Sequence, residues 1–302
     1  MNRILITGAS GLVGAALSAH LQKSGCGFAP LARSMRSDGM PEWRIEGPAR
    51  ALIHAAARVH VMHEVARDPL IEFRKVNVEG TLELARQAAR AKVRRFVFVS
   101  SVKVNGEATT AKPFASGDVP SPMDAYGISK LEAENGLFDI ARQTGMDVVV
   151  VRPPLIYGPG VRANFLKLMK LVKSGIPLPL GAIDNRRSML AIDNLIDLLV
   201  LCTHHQAAPG QVFMASDDND VSTATLLRML AKAMHRRALL LPVPPAIIAG
   251  SAALLGKSAV AERLLGSLQV DVAHTRSTLD WSPRVGMEEA LQNTVSHFLE
   301  HF

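Results

Sequence analysis

A glycine-rich turn constrains the fold of this chain more than any other feature of its sequence. Residues 3–7 (RILIT) predict a short strand, and Gly8, Gly11 and Gly14 follow at three-residue spacing before an alanine- and leucine-rich helical pattern. Glycines permit a tight turn and a close backbone approach, and the helix that follows directs its free N–H groups towards a pyrophosphate. We therefore expect a dinucleotide to bind here, held by Gly8, Ser10, Gly11, Leu12, Val13 and Gly14. The alternative is a set of glycines that serves helix packing only.

The first half of the chain alternates between β-type and helical patterns. The β-type runs lie at 27–32, 51–56, 95–100 and 147–152, and the helical patterns at 70–91 and 125–144. Such alternation is typical of a parallel, doubly wound sheet. The predicted fold class is therefore α/β, with a Rossmann unit in the first half.

The pattern changes after Arg152, where prolines and glycines cluster and the elements become shorter. Helical patterns continue at 163–173, 194–203, 222–234 and 288–298. We expect an NAD(P)-binding Rossmann domain at 1–155 and a smaller substrate-binding lobe at 156–302, with parts of the two interleaved.

The connection that precedes residues 51–56 is too short for this fold. Residues 42–46 (EWRIE) predict a third strand, yet only residues 47–50 separate it from the next one. A parallel crossover normally needs a dozen or more residues, and four residues span at most about 14 Å. Either 42–46 is not a member of the sheet, or a segment between Pro48 and Ala49 is missing from the sequence. We favour the second interpretation, which makes the true chain longer by on the order of ten residues.

The net charge of +7 raises nucleic acid as a ligand, but the rest of the composition argues against it. The 34 Lys and Arg residues are scattered, and aromatic residues make up only 5% of the chain, so no stacking platform accompanies a basic run. A cleft for phosphorylated small molecules also requires arginines. We expect no nucleic-acid partner.

Hydropathy and cysteine content indicate where such a chain works. The longest strongly apolar stretch, 246–255, falls well short of the ~20 residues of a membrane span, and the first residues lack the pattern of a secretory signal. Cys26 and Cys202 stand apart without metal-ligand spacing, which favours two free thiols and no metal site. We predict a cytoplasmic protein without a membrane span.

Arg33 stands at the end of the second β-type run, where NAD-binding proteins place an acid for the ribose hydroxyls. An arginine there accommodates a 2′-phosphate. The sequence thus favours NADP(H), with NAD(H) as the other option and a solvated surface arginine as the alternative interpretation.

Tyr126 and Lys130 lie four residues apart on one face of a predicted helix. A cationic amine beside a phenol favours the phenolate, so we expect Lys130 to bring Tyr126 closer to general acid/base work at neutral pH. This spacing alone is a frequent chance match. Its place in the chain adds specificity, because it follows the glycine turn and the pair Ser100-Ser101 and precedes RPPLIYGPG at 152–160.

These motifs together resemble the extended short-chain dehydrogenases/reductases, in the group of nucleotide-sugar epimerases, dehydratases and reductases. The matching pieces are TGASGLVG at 7–14, IHAAA at 53–57, NVEGT at 77–81, VSSVKVNG at 99–106, YGISK at 126–130, RPPLIYGPG at 152–160 and LDWSP at 279–283. The match runs nearly end to end. It is specific to the superfamily and much less so to a substrate.

The resemblance implies a role for individual residues. Ser101 would hydrogen-bond the reacting oxygen, Tyr126 would be the acid/base, and Lys130 would hold the nicotinamide ribose. Ser100 and Asn77 are expected to be structural. The cofactor would also be lined by Ala55, Ala56, Ala57, Val99, Pro153 and Leu155, and the substrate by Ser101, Val102, Asn164 and Arg187. Arg187 is preferred as a diphosphate contact because arginine pairs bidentately with phosphate, with Arg186, Arg162 and Lys103 as solvated neighbours.

Departures from the family pattern distinguish between the dehydratase, epimerase and reductase reactions of the group. Dehydratases of this group carry an acidic pair after the Ser/Thr, and this chain has Val102 and Lys103 there, so dehydration is not expected. Epimerases of the group commonly retain NAD and have an acid at this position. This chain has Arg33 there, and the arginine favours an exchanged NADPH and net reduction. Asn105 replaces a tyrosine that many relatives have.

Three further sequence segments resemble bacterial UDP-4-keto-6-deoxy-N-acetylhexosamine reductases: VKVNGE at 102–107, AARVHVM at 56–62 and GSLQVD at 266–271. This implies reduction of the C4 keto group of a UDP-linked sugar, with His60, Met62 and His63 near the substrate mouth. The alternatives are a UDP-sugar 4-epimerase that holds its NAD and, more remotely, a non-catalytic dinucleotide-binding regulator. The patterns at 70–91 and 125–144 resemble helices through which relatives dimerise, and a face that packs only into the core is the other interpretation.

Overall fold

The computed structural model describes residues 3–37, 39–59 and 68–302. Its strands are β1 (Ile4–Thr7), β2 (Phe28–Pro30), β3 (Ser34–Met35), β4 (Pro41–Glu42), β5 (Ala51–His54), β6 (Arg95–Val99), β7 (Asp147–Arg152), β8 (Leu155–Tyr157), β9 (Met189–Ala191) and β10 (Val212–Met214). A six-stranded parallel sheet has the order β10-β7-β6-β5-β1-β2. The predicted α/β fold class with a doubly wound parallel sheet is confirmed.

The α-helices are α1 (Leu12–Lys23), α2 (Pro69–Arg74), α3 (Gly80–Arg90), α4 (Ala125–Thr144), α5 (Ala163–Ser174), α6 (Ile192–Cys202), α7 (Thr223–Ala233), α8 (Pro245–Leu254), α9 (Ser258–Leu265), α10 (Ala273–Leu279) and α11 (Met287–His301). None of these helices in the described part of the chain is both long and apolar enough to cross a membrane.

The apolar runs of the sheet are continuous because helices cover both faces. Side chains that alternate along each strand enter different clusters: Ile53 and Val97 pack with α1 and α6, whereas Leu52 and Phe96 pack with α3 and α4. Strands buried on both sides are the expected outcome of a parallel sheet. The central strands also share a register, with Thr7 opposite His54 and His54 opposite Phe98. The segments that follow these strands therefore meet at one edge of the sheet.

The predicted helix at 70–91 is interrupted. A π-helical turn, Lys75–Glu79, joins α2 to α3 and carries the buried Asn77. π-turns inside helices are frequent at functional sites. The helical pattern gave no sign of this turn, because its residues keep an ordinary apolar spacing.

The expectation of a third sheet strand at 42–46 is wrong. Pro41–Glu42 instead pairs antiparallel with Ser34–Met35, and among the residues that the structure describes β2 is the edge strand of the sheet on this side. Trp43 is buried with its ring edge-on to His54, which holds the segment against the core without a ladder. Residues 47–50 are therefore not a crossover between sheet strands. This agrees with the first of the two interpretations given above, and a missing segment between Pro48 and Ala49 stays a prediction.

The C-terminal half packs around a second cluster formed by α5, α7 and α11 with the two-stranded sheet of β8 and β9. It also supplies β10, which pairs with β7 at the edge of the main sheet. The boundary between residues 155 and 156 stays a prediction.

Candidate active site

The glycine turn packs too closely for any side chain at two of its three positions. Gly8 has a left-handed φ of +71°, and a Cβ on it would lie 2.8 Å from the Ala56 nitrogen. A Cβ on Gly14 would lie 2.1 Å from the Gly8 carbonyl oxygen, which draws α1 against the turn. Both distances are far below van der Waals contact. Gly8 and Gly14 are thus required by the packing of the turn itself.

The open side of the turn fits a pyrophosphate. Gly11 caps α1 without any side-chain hydrogen bond, and both Ser10 and Gly11 are exposed, so the first N–H groups of the helix face solvent. Leu12 and Val13 pack into the core and fix the direction of the helix. A helix N-terminus of this kind supplies N–H donors and a positive dipole end to an anion.

A buried histidine ties the glycine turn to the segment after β5. The Thr7 hydroxyl lies 2.6 Å from Nδ1 of His54, and Nε2 of His54 lies 3.0 Å from the Thr81 hydroxyl. The Ala56 N–H donates to the Thr7 hydroxyl at 3.3 Å, which positions residues 55–57 beside the turn. Burial, followed by the nearby charge of Lys130, lowers the pKa of His54 to about 3. Sequence reasoning did not single out this neutral histidine, and its only signal is a polar residue inside an apolar strand.

Asn77 links the segment after β5 to α4. Its amide oxygen accepts from the Arg58 N–H at 2.8 Å, and its Nδ2 donates to the Arg58 carbonyl and the Ser129 hydroxyl, each at 3.0 Å. Ser129 in turn donates to the Tyr126 carbonyl at 2.8 Å. The contacts fit the structural role expected of Asn77, which is to hold the start of α4 near the sheet edge.

Ser101 and Tyr126 come together beyond the carboxyl end of β6. Ser101 begins the short 3₁₀ turn Val102–Val104, and Tyr126 is the second residue of α4, whose N-cap Asp124 accepts from the Gly127 N–H at 2.7 Å. The two hydroxyls are hydrogen-bonded. The half-buried Tyr126 ring also meets Phe73 edge-on, with centroids 6.0 Å apart. A phenol and an alcohol thus point to one place at the sheet edge.

The expected effect of Lys130 on Tyr126 is not found. Burial raises the pKa of the Tyr126 phenol well above its usual value, the Asp124 carboxylate raises it further, and the hydrogen bond with Ser101 lowers it. The Lys130 amine donates instead to the Val99 carbonyl at 2.7 Å and lies 3.9 Å from the Phe98 ring centroid. Burial lowers the pKa of Lys130 to about 7, so its positive charge is only partial at neutral pH. The helical spacing placed the two residues on one face but could not place the amine.

A buried ion pair stabilises the segments around the site. Arg152 donates to Glu134 through Nε and Nη2, at 3.1 and 2.5 Å, and both side chains are at most 5% exposed. Ser100 donates to the same carboxylate, and Arg152 Nη1 donates to the Asn105 side chain at 3.0 Å. The structural interpretation of Ser100 fits this network. Sequence reasoning missed Glu134 and the role of Arg152, which no local motif announces.

The positions that follow Ser101 carry no acidic pair. Val102 is buried and its N–H donates to the Pro153 carbonyl at 3.0 Å. Lys103 is ion-paired with Glu107 at 2.8 Å and with Asp124 at 2.5 Å, so it is not simply a solvated residue. Pro153 is buried beside this turn, while Leu155 is 39% exposed.

Arg33 is exposed just beyond β2 and lines an open groove of about 900 Å³. Arg44 and Arg90 lie on the same groove, next to Trp43. Its lining includes Ala32 and Ser34, so the groove lies beside the end of β2. Three guanidinium groups around one groove make it a suitable place for a phosphate.

The two predicted diphosphate contacts differ in setting. Asn164 is exposed at the start of α5. Arg187 is partly buried, and its Nη1 donates to the carbonyls of Arg263 and Gly266 at 2.8 and 3.0 Å, where α9 ends. A cation is favourable at the C-terminal end of a helix. His60, Met62 and His63 lie outside the described residues.

Comparison with known proteins matches most of the chain to one family. Residues 4–215 match the NAD dependent epimerase/dehydratase family. The chain is 47% identical over 251 residues to a UDP-glucose 4-epimerase of Vibrio cholerae, covering 82% of this chain and 76% of that one. It is 28% identical over 309 residues to a GDP-6-deoxy-D-mannose reductase of Pseudomonas aeruginosa, covering 97% and 96%.

Solved structures show the same fold. RMD from Pseudomonas aeruginosa complexed with NADPH superposes with a TM-score of 0.78 at 22% identity, over the full length of both chains. A UDP-glucose 4-epimerase of Thermotoga maritima with UDP-glucose gives 0.75 at 20% identity, over 99% of both chains. From its motifs, its fold and these matches, the chain is an enzyme of the extended short-chain dehydrogenase/reductase type and belongs to the NAD dependent epimerase/dehydratase family.

Proposed function

We propose that this protein uses NADPH to reduce the C4 keto group of a UDP-linked 4-keto-6-deoxy-hexosamine, N-acetylated or not. The observation that carries the proposal is the hydrogen-bonded pair Ser101 and Tyr126 at the sheet edge beside the glycine turn. The absence of an acid at Val102 and Lys103 argues against dehydration. The relative named a reductase supports net reduction.

The chain's residues fit a nicotinamide dinucleotide. The N–H groups of the first turn of α1, which follows the exposed Ser10 and Gly11, would hold its pyrophosphate, and residues 55–57, Val99 and Pro153 would line the rest. When bound, such a cofactor supplies a hydride to a carbonyl carbon.

Ser101 and Tyr126 supply the proton chemistry in this proposal. Tyr126 gives its phenolic proton to the C4 oxygen, and Ser101 donates a hydrogen bond to the same oxygen as negative charge develops on it. The raised pKa of the phenol keeps Tyr126 protonated before reaction, as an acid must be. Lys130 uses one N–H on Val99, and its other N–H groups would hold the nicotinamide ribose.

The preference for NADPH rests on Arg33. Arg33, Arg44 and Arg90 line one groove at the end of β2, and a 2′-phosphate is the part of NADPH that such a groove selects. Ser101, Val102 and Asn164 would contact the substrate. Arg187 would act indirectly, because its guanidinium is bound to the carbonyls at the end of α9.

The test measures NADPH oxidation by purified protein against a panel of UDP-4-keto sugars, with NADH in parallel. We expect turnover with NADPH and at least one UDP-4-keto-6-deoxy sugar. Arg33→Gln should raise KM for NADPH by about tenfold, because it removes a charged phosphate contact, and leave KM for NADH nearly unchanged. The exposed Arg142→Gln is the matched control. Equal KM changes for the two cofactors would exclude the 2′-phosphate role.

The second candidate is a UDP-sugar 4-epimerase, favoured by the 47% identity to a protein of that name. It would use Ser101, Tyr126 and Lys130 in the same way but retain its cofactor through both half-reactions. Denaturing the purified protein and finding NAD at one equivalent per chain, with no NADPH oxidation by any keto sugar, would establish this candidate over the reductase.

A further inference from the structure

The segment 235–265, which contains α8 and α9, exposes an unusual amount of apolar surface. All ten residues of α8 are described, and none of them is buried. The sequence of α8 is PAIIAGSAAL, so a helix almost without polar side chains lies on the surface. A helix that is apolar all round is normally buried in a core or a membrane.

The large exposed side chains form what we call the apolar ridge, defined as Leu239, Leu241, Ile247, Leu254, Leu255 and Val260. Leu254 is 91% exposed and Leu255 70%. Ile247 and Leu254 are seven residues apart, close to two helical turns, so both lie on one face of α8. The ridge includes six of the fifteen large apolar residues that are exposed in the described part of the chain. Large apolar side chains exposed together in one short segment are typical of an interaction site.

Leu239 and Leu241 are anchored to the body of the protein by their backbone. The Leu178 N–H donates to the Leu239 carbonyl and the Leu241 N–H donates to the Leu178 carbonyl, each at 2.8 Å. Their side chains nevertheless remain about half exposed, at 53% and 50%. The ridge therefore includes two leucines whose backbone is held by hydrogen bonds to the body of the protein.

The same segment carries positive charge. It contains Arg236, Arg237, Lys257 and Arg263 against the single acid Glu262, a net charge of +3 out of the +7 of the whole chain. All four basic residues are exposed. One tenth of the sequence thus holds close to half of the excess charge, in the same segment as the apolar ridge.

We propose that the apolar ridge binds the surface of an anionic lipid bilayer. Apolar side chains enter the boundary between headgroups and acyl chains, and the flanking basic residues meet anionic headgroups. With ten residues, α8 is far too short to span a bilayer and lies on it instead. A second copy of this chain fits less well, because two such faces would bring +3 against +3.

The test is co-sedimentation of the full chain with two kinds of vesicle, phosphatidylcholine alone and phosphatidylcholine mixed with phosphatidylglycerol. We expect binding to the mixed vesicles, weakened by added salt, and little binding to phosphatidylcholine alone. Leu254→Glu should lower the partition coefficient by about tenfold, because it removes a large apolar contact and adds repulsion. Leu299→Glu, an exposed leucine on α11, should change it little.

A second pair of variants separates charge from apolar contact. Arg237→Gln with Lys257→Gln should lower binding to the mixed vesicles by about tenfold. Arg86→Gln with Arg142→Gln removes the same charge from exposed positions elsewhere and should have a small effect. Unchanged melting temperatures would show that all variants are folded.

Three results would overturn the proposal. They are absence of binding to the mixed vesicles, equal losses in Leu254→Glu and Leu299→Glu, and a dimer by light scattering that Leu254→Glu dissociates while vesicles bind neither form. The last result would assign the ridge to a second copy of the chain. Because none of these measurements uses turnover, they are independent of the reaction proposed above.

Discussion

The chain has two tyrosines, and the regions around them use a buried phenol in different ways. Around Tyr126 the phenol is half-buried at the sheet edge and bonded to Ser101, next to the exposed glycine turn. Around Tyr157 the phenol is fully buried and donates to the Asp217 carboxylate at 2.8 Å. Burial is the largest cause of a raised pKa in both.

The partners of the two phenols account for the difference. Asp217 also accepts from the Ala191 N–H at 2.9 Å and from Asn194 at 2.8 Å, so Tyr157 completes a closed network between β8 and α6. Tyr126 is bonded to a neutral hydroxyl beside the region proposed for the cofactor. A shifted pKa alone therefore does not distinguish a reactive tyrosine from a structural one, whereas the partner and its access to solvent do.

Tyr126→Phe should have the largest effect of the substitutions considered, and the effect should be on kcat. Removal of the proton donor should lower kcat by about 10²–10⁴-fold, the usual contribution of a positioned acid. Cofactor binding should persist, since Tyr126 is one of many contacts, and the free energy of unfolding should change by no more than about 1 kcal/mol. Steady-state turnover and cofactor fluorescence titration measure the two effects. Full turnover in Tyr126→Phe would remove it from the chemistry.

Arg152→Met should have the next largest effect, on stability. It leaves the buried Glu134 carboxylate without its cation, which costs about 3–5 kcal/mol. Urea unfolding measures this loss, and Arg142→Met at an exposed ion pair should cost no more than about 0.5 kcal/mol. The double variant Glu134→Gln/Arg152→Met should recover part of the loss, because no buried charge is then uncompensated. No recovery would show that Arg152 stabilises the site through packing alone.

The sequence predicted the parts of the site that depend on backbone. The glycine spacing indicated the turn, and the alternation of β-type and helical patterns indicated the parallel sheet, whose observed register brings Gly8, Ala55, Ser101 and Pro153 to one edge. The turn and the sheet could be predicted because each admits few residues and few arrangements.

The parts that depend on long-range side-chain contacts could not be predicted. Glu134 and Arg152 are 18 residues apart, and Tyr157 and Asp217 are 60 apart. No local periodicity connects such pairs. The prediction of a third sheet strand was wrong for a related reason. Residues 42–46 (EWRIE) have a strand-like composition, but Trp43 is held by contact with His54 and not by pairing in the sheet.

Acid should destabilise the protein through the buried His54. Its pKa is about 3 in the folded protein against an ordinary value of 6.5, so below pH 6.5 the unfolded chain binds a proton that the folded chain does not. The contribution of neutral His54 to the free energy of unfolding is complete above pH 6.5 and is lost as the pH falls towards 3. The loss is about 2 kcal/mol between pH 7 and pH 5. Urea unfolding of wild type and His54→Gln at both pH values measures the difference. The variant should be less stable at pH 7 but lose less on acidification, and the exposed His20→Gln should follow wild type. Parallel pH slopes in wild type and His54→Gln would exclude this histidine as the source.

Tyr157→Phe should produce the smallest effect and complete the comparison. Asp217 keeps its bonds to Ala191 and Asn194, so the loss is one hydrogen bond to a carboxylate, about 1–2 kcal/mol in the free energy of unfolding. Turnover per folded molecule should stay within about twofold of wild type, because the Tyr157 phenol is closed off from solvent by its own network. The same substitution at a half-buried and at a fully buried phenol would then affect turnover at Tyr126 and stability at Tyr157. A large loss of kcat at unchanged stability in Tyr157→Phe would mean that the Tyr157 network positions the reacting groups. The fully buried Tyr157 and the half-buried Tyr126 would then both contribute to turnover.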